Sequence, residues 1–437
     1  MHANAAAYFA TVNQCNSGMM KTAVQITFLQ LAVVGATGLL MRAMPYFSGE
    51  FAVFNHVRHA HSHLAFLGWV FSAFFLGFLA LFLGTEHFEK NRYKRLFWLL
   101  QASIAGMFVA FWASGYGFGA ILFLSLHTLL AYLFFVNFLK DWRPEKRLPS
   151  SWFAVTAVAF FLLSSLGPLA IPVVGMLGDE NPRWVNMAVH FYLHFQYSGW
   201  FMFGLLAMLL RFFEKRGRVL STVPARTCRA VLTLAIFPAY FIALSGSSIT
   251  ESFVFPVMIF AFLQWVAAGI LVVLIIRQKG VGPGWFPRML WFTALTAILL
   301  KYSLEFVASV PLTARYFQLE NRFLTLGYLH LVFLGAVTSF ILWLFWQMRW
   351  GKWATTFAKT GLAFYLGGFV ISEGYLFMAG LRWFPPYFTE VLLVASGLLL
   401  AGILLMGKAV LWFPRQVPFE KAWQTESLTR FTFEKWN

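Results

Sequence analysis

A run of about 20 mostly apolar residues is the length of helix that crosses a bilayer. This chain carries twelve of them in succession, at 22–43, 62–84, 96–114, 117–139, 152–177, 186–210, 229–249, 253–276, 287–308, 324–347, 358–380 and 388–411. In lipid every backbone N–H and C=O must be satisfied within the segment, so such runs fold as helices. The expected fold is therefore an all-α polytopic membrane protein with twelve transmembrane helices. Composition agrees: 60% of residues are hydrophobic, 19% aromatic and only 11% charged, against roughly a quarter charged in ordinary globular domains. The expected organisation is an N-terminal segment 1–21, a membrane domain 22–411 and a tail 412–437. No soluble domain fits in the remaining loops, and no clear internal repeat is read.

The net charge of +17 would suit nucleic acid if it lay on one soluble face. Instead the basic residues sit in short loops between apolar runs, which suits a membrane surface and excludes nucleic acid as the expected partner. With twelve spans, the side holding the N-terminus collects 26 of the 33 Lys and Arg and the other side 6, with Lys301 inside a span. A span missed in mid-chain would destroy that bias. Both termini are expected in the cytoplasm, and the protein in the inner (cytoplasmic) membrane. The two cysteines, Cys15 and Cys228, form no CxxC or CxxCH motif, so neither a disulfide framework nor covalent haem attachment is expected. The first twenty residues lack a basic start followed by an apolar run, so no cleavable signal peptide is read.

Ionisable side chains inside spans are functional candidates, and here they are mostly histidines. His61, His63, His127, His190, His194 and His330 lie on the second, fourth, sixth and tenth spans. All these spans enter from outside, and the six rings share a similar depth. Such a set suggests one site; each alone is equally a helix–helix hydrogen bond. In "RHAHSHLAFLGW", His61 and His63 point about 200° apart. The His61 face carries Ala65, Gly68 and Ser72, room for a packed partner or a flat macrocycle; the His63 face carries Phe66, Leu67, Val70 and Phe74. His61 is the expected ligand, with His63 free to snorkel towards the interface. His190 and His194 in "HFYLH" stack at i,i+4. That is a half-site for copper, iron or zinc, or a stacked hydrogen-bonding pair.

Twelve helices with both ends inside, and histidines in the second, sixth and tenth, resemble subunit I of the haem–copper oxidase superfamily, which includes cytochrome c oxidases and bacterial nitric oxide reductases. The resemblance implies that bundle fold over nearly the whole chain. "RHAHSHLAFLGW" resembles the family's opening of the second helix, with His61 as low-spin haem ligand. "GYLHLVFLGAV" resembles the tenth, with His330 as the second low-spin ligand and Tyr328 where the high-spin ligand stands. Arg382 in "AGLRWFPPY" matches an arginine that binds haem propionates. The resemblance thus implies a b-type haem on His61 and His330, a role in electron transfer or gas or haem binding, and an electron donor that is a protein or a quinol. An additional membrane subunit is compatible with it. His190 matches one ligand of the copper or non-haem iron centre, so a second metal at His190 and His194 is a further option. The seventh helix departs from the family: "AIFPAYFIALSGSS" has no histidine where two adjacent ones belong. Orthodox oxygen reduction is therefore not expected; as an enzyme the chain would be an oxidoreductase of the oxidase or nitric oxide reductase type. Two other classes remain open, a twelve-helix transporter and a cofactor-free assembly or sensor subunit. Lys301 and Glu305, four residues apart, read as a structural ion pair, with a proton path as the alternative, and Glu373 lies in the eleventh span. "GDENPRW" at 178–184 reads as an outer loop cap and "WQMRWGKW" at 346–353 as an interfacial belt.

Overall fold

A computed structural model describes residues 18–47, 53–145, 147–176, 182–242, 254–278, 281–314, 316–317 and 321–411. The expectations for 1–17, for most of the 178–184 loop and for the tail 412–437 fall outside them. The described chain is helical, with no strand among the described residues. The helices are α1 Gly18–Ala43, α2 Phe54–Leu83, α3 Asn91–Ser114, α4 Phe118–Asp141, α5 Pro149–Ser164 with its continuation Leu166–Met176, and α6 Pro182–Glu214. They are followed by α7 Thr222–Ala239, α8 Val254–Ile276, α9 Trp285–Ser309, α10 Arg322–Gln347, α11 Thr356–Gly380 and α12 Phe388–Leu411.

Eleven of these are long and apolar enough to cross a membrane. The exception is α7, the expected span 229–249. Its described part starts in polar sequence with Arg226 and Arg229, and residues 243–253 lie outside the description. The boundaries follow local chemistry. Gly84 (φ 100°) and Gly115 (φ 59°) end α2 and α3 in left-handed backbone that favours glycine. Pro149 starts α5 at a first-turn position, where its missing N–H is harmless. The Asn321 side chain caps α10 by accepting from the Leu324 N–H.

The chain forms two compact units. Unit 1 comprises 1–134, 345–365 and 400–437; unit 2 comprises 135–344 and 366–399. Within unit 1, α11 and α12 cross at Gly361 and Gly402. A Cβ on either glycine would lie within 2.7 Å of the other's carbonyl oxygen, the close approach that small residues permit between membrane helices.

Three helices stand apart. In α2, α6 and α10, 89%, 94% and 78% of the most apolar window is buried, against 22–50% in the other eight. Each is interrupted by a π-helical stretch that begins immediately after a histidine: Leu64–Val70 after His63, Phe195–Phe201 after His194, and Leu331–Thr338 after His330. Each stretch contains a glycine five residues beyond that histidine, namely Gly68, Gly199 and Gly335. The expectation of no internal repeat is therefore corrected, because a His-x4-Gly unit recurs on every fourth helix. The glycines recur because a neighbouring helix presses there. A Cβ on Gly199 would lie 2.6 Å from Phe160 Cβ on α5, and one on Gly335 2.8 Å from Ala297 Cβ on α9.

Candidate functional site

In unit 1, His61 on α2 faces α1. A Cβ on Gly38 would lie 3.2 Å from the His61 ring, and His61 Nδ1 is 3.0 Å from Thr37 Oγ1. The Thr37 hydroxyl has one proton and gives it back to its own helix, with the Val33 and Val34 carbonyls at 2.9 and 3.0 Å. With that proton on its own helix it accepts from His61 Nδ1–H; with the hydroxyl turned to the ring it donates to Nδ1. Farther along the same face, α1 and α3 fill the space beside the small residues. Gln30 donates to Gln101 at 2.6 Å, and Gln101 donates to Ser72 at 3.0 Å.

The other histidines of unit 1 are engaged differently. His63 donates from Nδ1 to the His59 carbonyl at 2.9 Å and stacks on Phe111 of α3, ring centroids 4.2 Å apart. Tyr116, from the "SGYG" break, lies 3.4 Å from His63 Nε2. The ring thus packs against α3 instead of snorkelling. His127 on α4 is buried and gives its Nε2–H to the Leu67 carbonyl at 3.1 Å. Leu67 lies in the π-helical stretch of α2, where the shifted register leaves carbonyls in need of donors.

In unit 2, His330 at the end of the first turns of α10 points Nδ1 at Glu373 on α11, 3.2 Å from Oε1. A carboxylate only accepts, so His330 donates from Nδ1–H to Glu373. Two residues earlier on α10, the Tyr328 hydroxyl donates to Glu305 Oε1 at 2.6 Å. Glu305 also accepts from Lys301 at 2.8 Å, and Ser198 and Gln264 reach it at 3.4 Å. Lys301 has no exposed surface, so the expected ion pair is present, buried and extended into a network. Glu305 and Tyr328 border a cavity of about 120 Å³ that His190, His194, Tyr197, Thr325 and apolar side chains also line.

His190 and His194 on α6 stack with ring centroids 5.8 Å apart. Both are buried, and both give Nε2–H to α7: His194 to the Ile236 carbonyl at 2.8 Å and His190 to the Tyr240 carbonyl at 3.2 Å. The reason lies in α7. Pro238 sits in its last turn and the Tyr240 N–H bonds back to Phe237 instead of Ile236. Carbonyls at a helix end need outside donors, and the "HFYLH" pair supplies two. A metal here would have to use Nδ1 or break both bonds.

Arg382 lies in the turn between α11 and α12, exposed, with φ 67°. This left-handed conformation is strained for a residue with a Cβ. Among the described residues, no three His, Cys, Asp or Glu side chains gather as a metal would require. Residues that sequence reasoning missed are Thr37, which orients His61, and Ser198 and Gln264, which complete the Glu305 network. A polar residue in an apolar span was the signal available for each.

Neither a family model nor a curated protein matches the chain.

Proposed function

We propose that this is a multi-pass membrane haem protein of the haem–copper oxidase subunit I type, with His61 in unit 1 and His330 in unit 2 as its candidate ligands for b-type haem. The observation that supports the reading is that both histidines turn Nδ1 towards a protein oxygen on another helix. Nδ1 lies 3.0 Å from Thr37 Oγ1 in His61 and 3.2 Å from Glu373 Oε1 in His330, so a ring with its proton on Nδ1 would ligate through Nε2. That is the arrangement by which protein acceptors orient a metal-ligating imidazole and raise its basicity. The buried His127, His190 and His194 have the opposite commitment, Nε2–H to a backbone carbonyl. Arg382, exposed at its turn, is assigned to the propionates, where a planar guanidinium suits a carboxylate.

Bound haem would supply one-electron chemistry or a binding place for a gas. The protein's own part is to orient two imidazoles. We assign it to the inner membrane with both termini cytoplasmic, on the charge bias, and expect a donor protein or a quinol as redox partner. Orthodox oxygen reduction does not fit the donors at the second site. Tyr328 gives its proton to Glu305, and His190 and His194 hold the end of α7.

The test is the oxidised and reduced visible spectrum, with metal analysis, of the full chain purified in mild detergent. A sharp reduced band lost in His61→Ala and in His330→Ala supports the proposal. A colourless, metal-free protein from haem-replete cells rejects it and leaves the transporter and cofactor-free classes.

A further inference from the structure

The cavity of unit 2 is lined by hydrogen-bonding groups that its own walls do not use. His190 and His194 each commit Nε2–H to an α7 carbonyl. In the neutral ring the lone pair is then on Nδ1. Among the described residues nothing donates to Nδ1 of either ring. Tyr197, three residues beyond His194, is 7% exposed, and its hydroxyl has no hydrogen-bond partner among the described residues. All three side chains line the cavity, so it offers imidazole acceptors and a hydroxyl donor side by side. Buried polar groups left unpaired are costly.

The charged group of the wall is already engaged. Glu305 accepts from Lys301 at 2.8 Å and from Tyr328 at 2.6 Å, with Ser198 and Gln264 at 3.4 Å. Lys301 balances its charge, so the cavity calls for no ion. A metal is poorly served too, since among the described residues no three His, Cys, Asp or Glu gather. What fits is a neutral group that both donates and accepts. A hydroxyl does both, giving its O–H to an imidazole Nδ1 and accepting from Tyr197.

The remaining wall shows what carries the hydroxyl. It is apolar and largely aromatic, with Leu193, Leu304, Phe317, Phe377 and the rings of Tyr197 and Tyr328. The histidines and Tyr197 sit on α6, Glu305 on α9 and Tyr328 on α10, all long and apolar enough to cross a membrane. An uncharged, lipid-soluble ligand suits that setting. One water-sized group needs about 10–15 Å³ of such space, so 120 Å³ holds roughly eight or more of them, the atoms of a benzene ring with two hydroxyls.

We propose that the cavity binds the head group of a lipid-soluble hydroquinone, with a ring hydroxyl donating to Nδ1 of His190 or His194 and accepting from Tyr197. The quinol expected as redox partner is the source of such a ring, so the assignment rests on the proposed function for the ligand's origin. Binding itself needs no haem.

The experiment is anaerobic isothermal titration calorimetry of the full chain in detergent, with decylhydroquinone, its dimethyl ether and decylbenzoquinone. The hydroquinone should bind. The ether and the quinone keep the ring and the tail but donate nothing to the imidazoles, and each should bind about tenfold more weakly. Tyr197→Phe should weaken hydroquinone binding about tenfold, the upper end for one hydrogen bond. Tyr375→Phe, on α11 and outside the cavity wall, should leave it unchanged. Helical circular dichroism and a single elution peak check that each variant is folded; if Tyr197→Phe fails that check, the ligand series in wild type decides alone. The proposal is overturned if the hydroquinone does not bind, if the ether or the quinone binds as tightly, or if folded Tyr197→Phe binds like wild type. A colourless protein that selects the hydroquinone would support this site while rejecting the haem; a haem protein that does not bind it would reject the site and keep the haem.

Discussion

α6 and α10 carry the same local device and use it in opposite ways. In each, a histidine precedes a π-helical stretch with a glycine five residues on, and the glycine lies against a neighbouring helix. On α6 the histidine is His194, which gives Nε2–H to a carbonyl at the frayed end of α7. On α10 it is His330, which gives Nδ1–H to a carboxylate. One ring closes a helix end; the other faces a carboxylate on α11. The repeat therefore sets where a histidine sits, and the partner helix sets which nitrogen carries the proton. On α2 the repeat position is His63, packed on Phe111, and the histidine whose Nδ1 faces a side-chain oxygen of another helix is His61, two residues earlier.

The comparison breaks most sharply at His330. His330→Ala should abolish haem binding altogether, while His194→Ala should leave the haem spectrum intact; parallel spectra of the two variants check this. Next in size is the buried pair beside the cavity. Lys301→Met leaves Glu305 buried without its cation and should destabilise the protein by about 3–5 kcal/mol. Lys301→Met combined with Glu305→Gln should recover part of that loss, since no unpaired charge remains. Thermal unfolding in detergent reads both. Glu373→Gln keeps an acceptor for His330 but removes the charge, and should weaken haem retention by about 10–100-fold, measured by transfer to apomyoglobin. The smallest effect belongs to the helix-end clamp. His194→Ala should lower stability by about 1–2 kcal/mol, the scale of one interhelical hydrogen bond in a membrane protein.

Eleven of the expected spans were legible because hydropathy alone drives them, and the Lys301–Glu305 pair because i,i+4 geometry is local. His190 and His194 were legible as a stacked pair for the same reason. Their purpose was not, because it depends on Pro238 in another helix disturbing the bonding of its last turn. The Nδ1 partners of His61 and His330 were equally hidden: each is one side chain on a different helix, Thr37 or Glu373. The His-x4-Gly repeat was present in the residues themselves at 63–68, 194–199 and 330–335. Two shared positions over so wide a spacing give little signal until the π-helical stretches align them.

The central claim is that His61 and His330 are the histidines prepared to ligate. The reduced-minus-oxidised spectrum of the purified full chain, taken together with His330→Ala and His194→Ala, tests it most directly. The account predicts a sharp haem band in wild type and His194→Ala and none in His330→Ala. A wild-type protein with no haem band, or a band that survives in His330→Ala and disappears in His194→Ala, would contradict it.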